Sequence, residues 1–253
     1  MALNDQVQNF WEQGVCGSST TIVGELKPLS KEWFERIEEH RYSVEPFIHG
    51  VAQFPRHHGK KLLEVGVGAG TDHLQWARSG AICHGVDLTA EAIATTRARF
   101  DLYGFQSNLT KLDAETLPFE SDTFDIVYSW GVIHHSEKPQ LIIDEILRVL
   151  KPGGTFIGML YGRHSPAVFK VWVRHALFKG KPWLSFADVV WHNIESIGTK
   201  AYTKKELAAM FASYRQVELV PLMTTYDTTR WPRWLSKFFP DDWGWFIGIR
   251  ATK

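Results

Sequence analysis

The fold is decided by the stretch Lys61-Leu62-Leu63-Glu64-Val65-Gly66-Val67-Gly68-Ala69-Gly70-Thr71-Asp72. An apolar run that contains one acid leads into three glycines at every second position, and a helix-like segment follows as far as Arg78. This order predicts a strand, a tight turn and a helix. Glycines at such a turn accept positive φ and let a ligand approach the backbone. With Thr71 or Asp72 as the N-cap, the helix would direct its free N–H groups at a ligand with an anionic end.

The spacing of the glycines narrows the choice of ligand. A dinucleotide fingerprint is G-x-G-x-x-G, but the third glycine here is Gly70, and Thr71 stands where the fingerprint needs glycine. Asp87 ends the next apolar run, about twenty residues after the turn, where an acid accepts hydrogen bonds from a ribose diol. NAD and S-adenosylmethionine both carry that ribose, so this pair of features leaves both ligands open.

Further motifs follow downstream. In chain order they are Leu112-Asp113-Ala114, Leu117-Pro118-Phe119, Phe124-Asp125-Ile126-Val127-Tyr128-Ser129-Trp130-Gly131-Val132-Ile133-His134-His135, and Arg148-Val149-Leu150-Lys151-Pro152-Gly153-Gly154-Thr155. With these motifs the chain resembles the class I S-adenosylmethionine-dependent methyltransferases, particularly small-molecule enzymes related to the ubiquinone/menaquinone biosynthesis methyltransferases. The resemblance covers roughly residues 60–160.

The resemblance implies a cofactor site. It assigns an acid at Glu64 to orienting the glycine loop, Asp113 to the adenine amino group, and the backbone of Ala114 to the adenine ring. Leu88 would pack on the adenine face, and aromatic side chains would attract the sulfonium by cation–π contact. The full set of expected cofactor-binding residues is Glu64, Gly66, Gly68, Gly70, Thr71, Asp87, Leu88, Asp113, Ala114, Trp130 and Tyr42. A purely structural role stays open for the acids and for Leu88.

His134 and His135 are the candidate catalytic residues. Histidine titrates near neutrality and can act as a general base, and His134 is the first choice for removing a proton from an acceptor. Two adjacent residues after a strand point in different directions, so at most one should face the substrate, and both could be structural. No metal is expected, because neighbouring histidines lack i, i+4 spacing and no Cys or acid cluster accompanies them in the sequence.

Strands and helices alternate regularly from Lys60 onward. Strands are expected at 61–65, 81–86, 109–112, 124–129, 155–160, about 215–222 and 244–251, and helices at 72–79, 89–103 and 138–150. This alternation predicts an α/β, doubly wound, mostly parallel sheet with ligands at the carboxyl ends of its strands. By resemblance the sheet is Rossmann-like and seven-stranded, and its last strand is antiparallel. The segment 151–154 reads as the turn before a strand.

Two domains are expected: an N-terminal helical lid at 1–58 and a methyltransferase domain at 59–253 with insertions at about 163–200 and 224–242. Ser30 would cap a helix to Tyr42, which either packs on the domain edge or closes over the cofactor with the Gly17-Ser18 turn. The second insertion holds Trp231, Trp234, Leu235 and Phe238 at helical spacing. That helix could cover the core, line a pocket or touch a membrane surface.

Composition excludes several function classes. The 253 residues carry 28 basic and 28 acidic side chains, so the chain has no overall excess of positive charge that would indicate a nucleic-acid partner. Only two cysteines are present, at Cys16 and Cys83, and no apolar run is long enough to cross a bilayer. A cytoplasmic protein without stable membrane insertion is therefore expected, and the sequence does not decide its oligomeric state.

The expected function is direct in-line transfer of the sulfonium methyl of S-adenosylmethionine to a small-molecule acceptor, which leaves S-adenosylhomocysteine. The acceptor atom, whether O, N, S or C, stays open, and the aromatic content favours an apolar or ring-containing acceptor only weakly. Two alternatives remain. One is a nicotinamide-dependent oxidoreductase on a similar sheet, and the other is a catalytically inactive S-adenosylmethionine-binding partner subunit.

Overall fold

The chain is described by a computed structural model that covers residues 2–229, 239–240 and 242–253. The Trp-rich helix expected around Trp231, Trp234, Leu235 and Phe238 lies outside these residues. Within the part of the chain that is described, no helix combines the length and the apolar character that crossing a membrane requires.

One seven-stranded sheet forms the centre of the molecule, with the strand order β3-β2-β1-β4-β5-β7-β6. The strands are β1 (Lys61–Val65), β2 (Ile82–Asp87), β3 (Asn108–Lys111), β4 (Phe124–Trp130), β5 (Leu150–Tyr161), β6 (Gln216–Leu222) and β7 (Phe246–Thr252). Strands β1 to β5 pair in parallel, whereas β7 is antiparallel to both β5 and β6. The predicted Rossmann-like sheet with an antiparallel last strand is confirmed.

Helices flank the sheet and extend at both ends of the chain. They are α1 (Leu3–Trp11), α2 (Thr20–Val23), α3 (Lys31–Val44), α4 (Ile48–Ala52), α5 (Thr71–Arg78), α6 (Ala90–Tyr103), α7 (Pro139–Val149), α8 (Pro166–His175), α9 (Phe186–Asn193), α10 (Lys204–Met210) and α11 (Thr225–Thr228). Short 3₁₀ turns lie at Phe54–His57, Ile133–His135 and Leu177–Lys179. The expected helices between the parallel strands all form, within about two residues of their expected bounds, as is usual for helix ends.

Successive side chains of each strand point to opposite faces of the sheet, so the apolar core forms two layers, one on each face. Leu62 of β1 is fully buried against α5 and α6, whereas its neighbour Leu63 is fully buried on the opposite face against α7. The same alternation continues in β4, where Ile126 and Val127 belong to opposite layers. Because helices cover both faces of the sheet, these strands consist of consecutive apolar residues rather than of alternating polar and apolar residues.

The start of α5 differs from the expectation. Neither Thr71 nor Asp72 is the N-cap: Gly70 occupies that position with φ of +71°, and the helix begins at Thr71. Both side chains are needed elsewhere, since Thr71 Oγ1 accepts a hydrogen bond from Arg99 Nη1 at 2.6 Å and Asp72 binds three partners described below. A left-handed residue before the helix turns the chain sharply, and glycine takes that conformation without strain.

The segment 151–154 is also different from the turn that was expected. Strand β5 already begins at Leu150, which pairs with Phe124, and the next pair joins Thr155 to Ile126. The intervening residues therefore form a bulge in the strand, with Gly153 at φ of +77°. Lys151 Nζ donates to Asp125 Oδ1 at 2.9 Å across this bulge. The segment therefore has a structural role, but it forms a bulge within β5 and not a turn between a helix and a strand.

The N-terminal helix α3 is held on the sheet by a buried carboxylate. Ser30 caps α3 by accepting from the Trp33 backbone N–H, as its sequence predicts. Near the other end of α3, Arg41 Nη2 donates to Asp72 Oδ2 at 2.6 Å and Tyr42 Oη donates to Asp72 Oδ1 at 2.9 Å. Tyr128 of β4 donates to the same carboxylate at 2.9 Å. These bonds favour the charged form, so the pKa of Asp72 lies below its usual value, although burial opposes this.

Replacement of Leu62 by Ala tests the contribution of the core. The side chain is fully buried in the central strand β1, so the change removes packed apolar atoms and leaves a cavity. We expect Leu62→Ala to lower the free energy of unfolding by about 2–5 kcal/mol, measured by urea denaturation. Leu102→Ala is the matched control because Leu102 is 46% exposed, and it should change that free energy by less than about 0.5 kcal/mol. Equal effects of the two variants would contradict this description of the core.

Candidate functional site

A cavity of about 650 Å³ lies along the carboxyl edge of the parallel strands. Its volume falls within the range of about 300–1,000 Å³ that is usual for small-ligand sites. Because the strand order is known, the position of a lining residue along the cavity follows from the strand that precedes it. Asp113 follows β3, Asp87 ends β2, Gly66 follows β1, Trp130 ends β4 and Tyr161 ends β5, and all five residues line the cavity.

The glycine turn brings the backbone against the cavity. Gly66 (φ of +84°) and Gly68 (φ of +52°) both line it. A Cβ on Gly66 would stand 2.2 Å from Val132 Cγ2, so only glycine allows the β1 and β4 loops to approach so closely. Gly70 does not line the cavity, contrary to the cofactor contact predicted for it. It faces Thr96 instead, whose Oγ1 would lie 2.9 Å from an added Cβ.

Asp87 is held in place by bonds to the chain around it. Its Oδ2 accepts from the Gly68 backbone N–H at 3.1 Å, and its Oδ1 accepts from both the N–H and the hydroxyl of Thr89 at 2.9 Å. Burial nevertheless raises the pKa of Asp87 above its usual value. The carboxylate is thus oriented beside the glycine turn, with Leu88 next to it in the cavity lining.

Glu64 pairs with a histidine beneath the turn. Its Oε2 lies 3.0 Å from His73 Nδ1, and His73 Nε2 lies 2.8 Å from Ser107 Oγ. Burial raises the pKa of Glu64 well above its usual value and lowers the pKa of His73 to about 3. Both directions favour neutral forms, so this buried pair joins β1 to α5 without a charge, and Glu64 still contributes to the cavity lining.

Asp113 and Ala114 lie at the β3 end of the cavity. Asp113 is exposed, and its Oδ2 accepts from Asn4 Nδ2 of α1 at 2.8 Å. The same Asn4 amide donates to Glu115 at 2.8 Å, and Asn4 Oδ1 accepts from the Glu137 backbone N–H. Helix α1 is therefore docked directly on the carboxylate that was predicted to bind adenine.

Trp130 and Tyr42, the aromatic residues predicted to meet the sulfonium, have different positions. Trp130 lines the cavity and donates from Nε1 to Glu45 Oε2 at 2.7 Å. Tyr42 does not line the cavity, because its hydroxyl is directed at Asp72. Its neighbour Arg41 lines the cavity instead, so the prediction placed the right helix there but chose the wrong side chain.

As expected, only one of the two histidines lines the cavity, but it is His135 and not His134. His134 is completely buried, lies outside the cavity lining and stacks on Tyr161 with ring centroids 3.8 Å apart. Burial lowers the pKa of His134 well below its usual value. The position of His134 therefore gives no support to its choice as the residue that faces the acceptor, and His135 is the member of the pair that lines the cavity.

An acid from the insertion joins these histidines. Glu195 follows α9 with φ of +51° and also lines the cavity. Its carboxylate accepts from the Tyr161 hydroxyl at 3.0 Å, and its Oε2 lies 3.2 Å from His135 Nε2. No Cys or acid cluster accompanies the histidines in the sequence, but the fold brings this one distant acid to His135. Sixty residues of sequence separate Glu195 from His135, so local spacing carried no signal of this contact.

Sequence reasoning also missed three charged residues of the cavity wall, two at the end of α3 and one in α5. Arg41, Asp72 and Glu45 all line the cavity, and Arg41 is in contact with both acids. The only available signal was the position of Arg41 on the same face of α3 as Trp33 and Ile37, which indicated a buried side of the helix.

Comparisons with known proteins agree with this geometry. Residues 63–158 match a family model described as a methyltransferase domain. The fatty-acid O-methyltransferase of Mycolicibacterium smegmatis is 33% identical over 132 residues, which cover 51% of this chain and 47% of that protein. The ubiquinone biosynthesis O-methyltransferase of a Shewanella species is 35% identical over 97 residues, which cover 38% of this chain and 41% of that protein. The chain thus spans less than half of the length of these relatives.

Solved structures show the same fold. One chain from the complex between the Haloferax volcanii Trm112 methyltransferase activator and the putative methyltransferase superposes with a TM-score of 0.60 at 19% identity. The superposition covers 87% of this chain and 92% of that chain. The agreement therefore extends beyond the matched domain to most of the sheet and its flanking helices.

The buried His73 predicts a dependence of stability on pH. Its folded pKa of about 3 lies below its unfolded value, so the unfolded chain binds a proton first as the pH falls. The stability that His73 contributes is complete above about pH 6.5 and is lost between that pH and about 3. We expect His73→Gln to make the fall of unfolding free energy shallower by about 1 kcal/mol per pH unit in urea denaturation from pH 7 to 4.

His192→Gln is the control for this measurement, since it alters an exposed histidine of α9. It should leave the slope of the wild-type protein unchanged. An unchanged slope in His73→Gln would show that His73 is not held in its neutral form.

Proposed function

We propose a methyl transfer function for this chain, which belongs to the class I S-adenosylmethionine-dependent methyltransferases by its domain at residues 63–158. In this proposal the sulfonium methyl moves in line to a nucleophilic atom of a small acceptor, and S-adenosylhomocysteine leaves. The observation that carries the proposal is one continuous cavity that joins the Asp87 carboxylate and the glycine turn to an aromatic compartment beyond β4.

The donor occupies the part of the cavity next to β1, β2 and β3. Asp87 accepts hydrogen bonds from the ribose hydroxyls, for which its oriented carboxylate is suited. Leu88 packs on the adenine, and Asp113 with Ala114 binds the adenine edge. The methionine carboxylate lies toward Arg41, whose side chain is 20% exposed while its guanidinium is bonded to Asp72 and Glu45. A planar guanidinium is well suited to a carboxylate ligand.

The acceptor occupies the part next to β4, β5 and β7, which has an apolar wall. Its lining residues in this part are Met159, Tyr161, Ala167, Val171, Ile194, Trp245 and Phe246. Tyr161 stacks on Trp245 with ring centroids 4.0 Å apart, so much of the wall is flat and aromatic. Such a wall favours an acceptor with an apolar body. The fatty-acid O-methyltransferase similarity agrees with an apolar acceptor, although only part of that protein is matched.

The polar end of the acceptor meets His135 and Glu195. Both side chains line the cavity, as does Lys170 on α8, and the His135 imidazole and the Glu195 carboxylate are in contact with each other. An acceptor hydroxyl or carboxyl must be deprotonated to become a good nucleophile, and a carboxylate paired with an imidazole can receive that proton. His135 therefore replaces His134 in the catalytic proposal, with Glu195 as its partner.

Two segments enclose the ligands in this proposal. Residues 1–58 supply one wall through Trp11, Cys16 and Arg41, and the insertion at 163–200 supplies the other through Val171 and Glu195. We propose that both act as lids on the methyltransferase domain that begins at residue 59. Exclusion of water by such lids strengthens the electrostatic contacts made inside the site.

The alternatives receive less support. The nicotinamide reading fails at Thr71, which is a helical residue bonded to Arg99 rather than the third glycine of a dinucleotide turn. An inactive binding subunit would have no need of an acceptor compartment, whereas the cavity continues past the donor residues to Phe246.

Asp87→Ala tests the donor site. Loss of the carboxylate removes the ribose contacts, so we expect S-adenosylmethionine and S-adenosylhomocysteine to bind at least tenfold more weakly by calorimetric titration, a loss of about 1.4 kcal/mol or more. Asp101→Ala is the control, because Asp101 is an exposed acid on the neighbouring helix α6. Binding of NAD instead of the two adenosyl ligands by the wild-type protein would overturn the proposal.

Val171→Trp tests the acceptor compartment. The larger side chain fills space beside Ile194, so turnover of medium-chain fatty acids and phenols should fall at least tenfold, measured as S-adenosylhomocysteine release. Affinity for S-adenosylhomocysteine should stay within about twofold, since the donor residues are unchanged. Val220→Trp is the control because Val220 is 41% exposed on β6. Loss of S-adenosylhomocysteine affinity in Val171→Trp alone would show that the compartments are assigned wrongly.

A further inference from the structure

His134, His135 and Glu195 form a cluster of metal-ligating side chains at the base of the acceptor compartment. One ligand atom from each residue can be chosen so that all three atoms lie within 4.8 Å of one another. Both histidines are buried, and the carboxylate reaches them from the insertion. Two imidazoles and one carboxylate are a donor set that suits divalent first-row transition ions.

His134 supplies the second observation that points to a ligand. The side chain is completely buried, yet neither Nδ1 nor Nε2 has a hydrogen-bond partner among the residues that the structure describes. A buried imidazole without partners loses its hydrogen bonds to water and gains none in return, so it calls for an explanation. A bound ion would give one of these nitrogens the partner that the protein does not provide.

The hydrogen bonds of His135 orient its other nitrogen toward Glu195. Thr199 Oγ1 donates its proton to the Ser196 carbonyl at 2.7 Å, so it can only accept from His135 Nδ1, which lies 3.1 Å away. Ser196 Oγ, at 2.9 Å, can accept from the same N–H. This places the proton on Nδ1 and the lone pair on Nε2. Metal-bound histidines usually donate the N–H of their other ring nitrogen to an oxygen acceptor, and here hydroxyl oxygens take that place.

The lone pair of His135 Nε2 then faces a carboxylate. Nε2 and Glu195 Oε2 are 3.2 Å apart, but within the described part of the chain Nε2 has no hydrogen-bond partner by its geometry. In the neutral imidazole, two electron-rich atoms at this distance repel one another unless a positive charge, which is either a proton or a metal ion, lies between them. The Tyr161 hydroxyl donates to the same carboxylate at 3.0 Å and fixes its direction.

We propose that His134, His135 and Glu195 bind one divalent transition ion of the zinc class. Tetrahedral zinc with bonds to nitrogen and oxygen of about 2.0–2.2 Å places ligand atoms roughly 3.4 Å apart, so ligand atoms that now lie up to 4.8 Å apart need to approach by no more than about 1.5 Å. Three protein ligands leave a coordination position open, as in catalytic zinc sites. That position faces the cavity because His135 and Glu195 line it.

The ion would also affect the acceptor, a consequence that rests on the proposed methyl transfer: with Nε2 of His135 bound to the ion, the ion would take over the part in deprotonation that the ion-free site gives to His135 and Glu195. An oxygen bound to a divalent ion loses its proton at a lower pH, so a hydroxyl or carboxyl group in the open position would be presented as the anion. Ion binding itself does not depend on methyl transfer and can be measured without a donor or an acceptor.

Titration with Co²⁺ tests the site on the full chain without a histidine tag and after removal of metals by a chelator. We expect one equivalent to bind with visible d–d absorption, and Zn²⁺ to displace it. His135→Gln and Glu195→Gln should each weaken binding at least tenfold. The matched controls His192→Gln and Glu218→Gln alter exposed side chains and should bind as the wild-type protein does.

A thermal readout covers variants that fold less well. Zn²⁺ should raise the melting temperature of the wild-type protein and of His192→Gln, because an ion that binds only the folded state stabilises it. The same addition should not raise the melting temperature of His135→Gln or of the more disruptive His134→Gln. S-adenosylhomocysteine affinity, measured in parallel, reports separately on the donor site. The proposal is overturned if Co²⁺ fails to bind stoichiometrically or if the cluster variants bind it as tightly as the controls do.

Discussion

The position of the cavity wall that residues 1–58 form depends on the carboxylate of Asp72. This side chain lies in the first turn of α5, directly after the glycine turn, and it accepts hydrogen bonds from Arg41, Tyr42 and Tyr128. Two donors come from α3 and one from β4, so a single buried anion joins the N-terminal segment to the centre of the sheet. An unpaired charge at this depth would be strongly unfavourable, which makes the three contacts mutually dependent.

The sequence was sufficient for the sheet because the physical signals there are local. Apolar runs, glycine turns and capping residues act over a few residues and are visible in the sequence; Thr203, for example, forms a capping box with Glu206 three residues later. The bulge at 151–154 escaped detection, since a proline and two glycines are equally compatible with a turn. The Gly70 N-cap was missed for a related reason. Thr71 and Asp72 are residue types that often cap helices, but here their side chains bind residues of other elements.

The site was less predictable because its acceptor half is assembled from distant segments. Asp87 and the glycines follow a pattern with fixed spacing, and the structure places Asp87, Gly66 and Gly68 together at the cavity. Glu195 comes from an insertion with no recognisable motif, and its approach to His135 depends on how α8 and α9 pack. The choice between His134 and His135 required the direction of each side chain in a 3₁₀ turn, which the order of residues does not determine.

The Asn4–Asp113 hydrogen bond couples the entry of a ligand to the position of α1. Asn4 already donates to the carboxylate that we assign to adenine, so an incoming amino group competes with the helix for the same oxygen. Trp11, near the other end of α1, contacts His135 with ring centroids 5.6 Å apart. One helix therefore touches both compartments of the cavity. A donor that displaced the first turn of α1 would also disturb the contact of Trp11 with His135, so the docking of α1 provides a physical link between donor binding and the acceptor side.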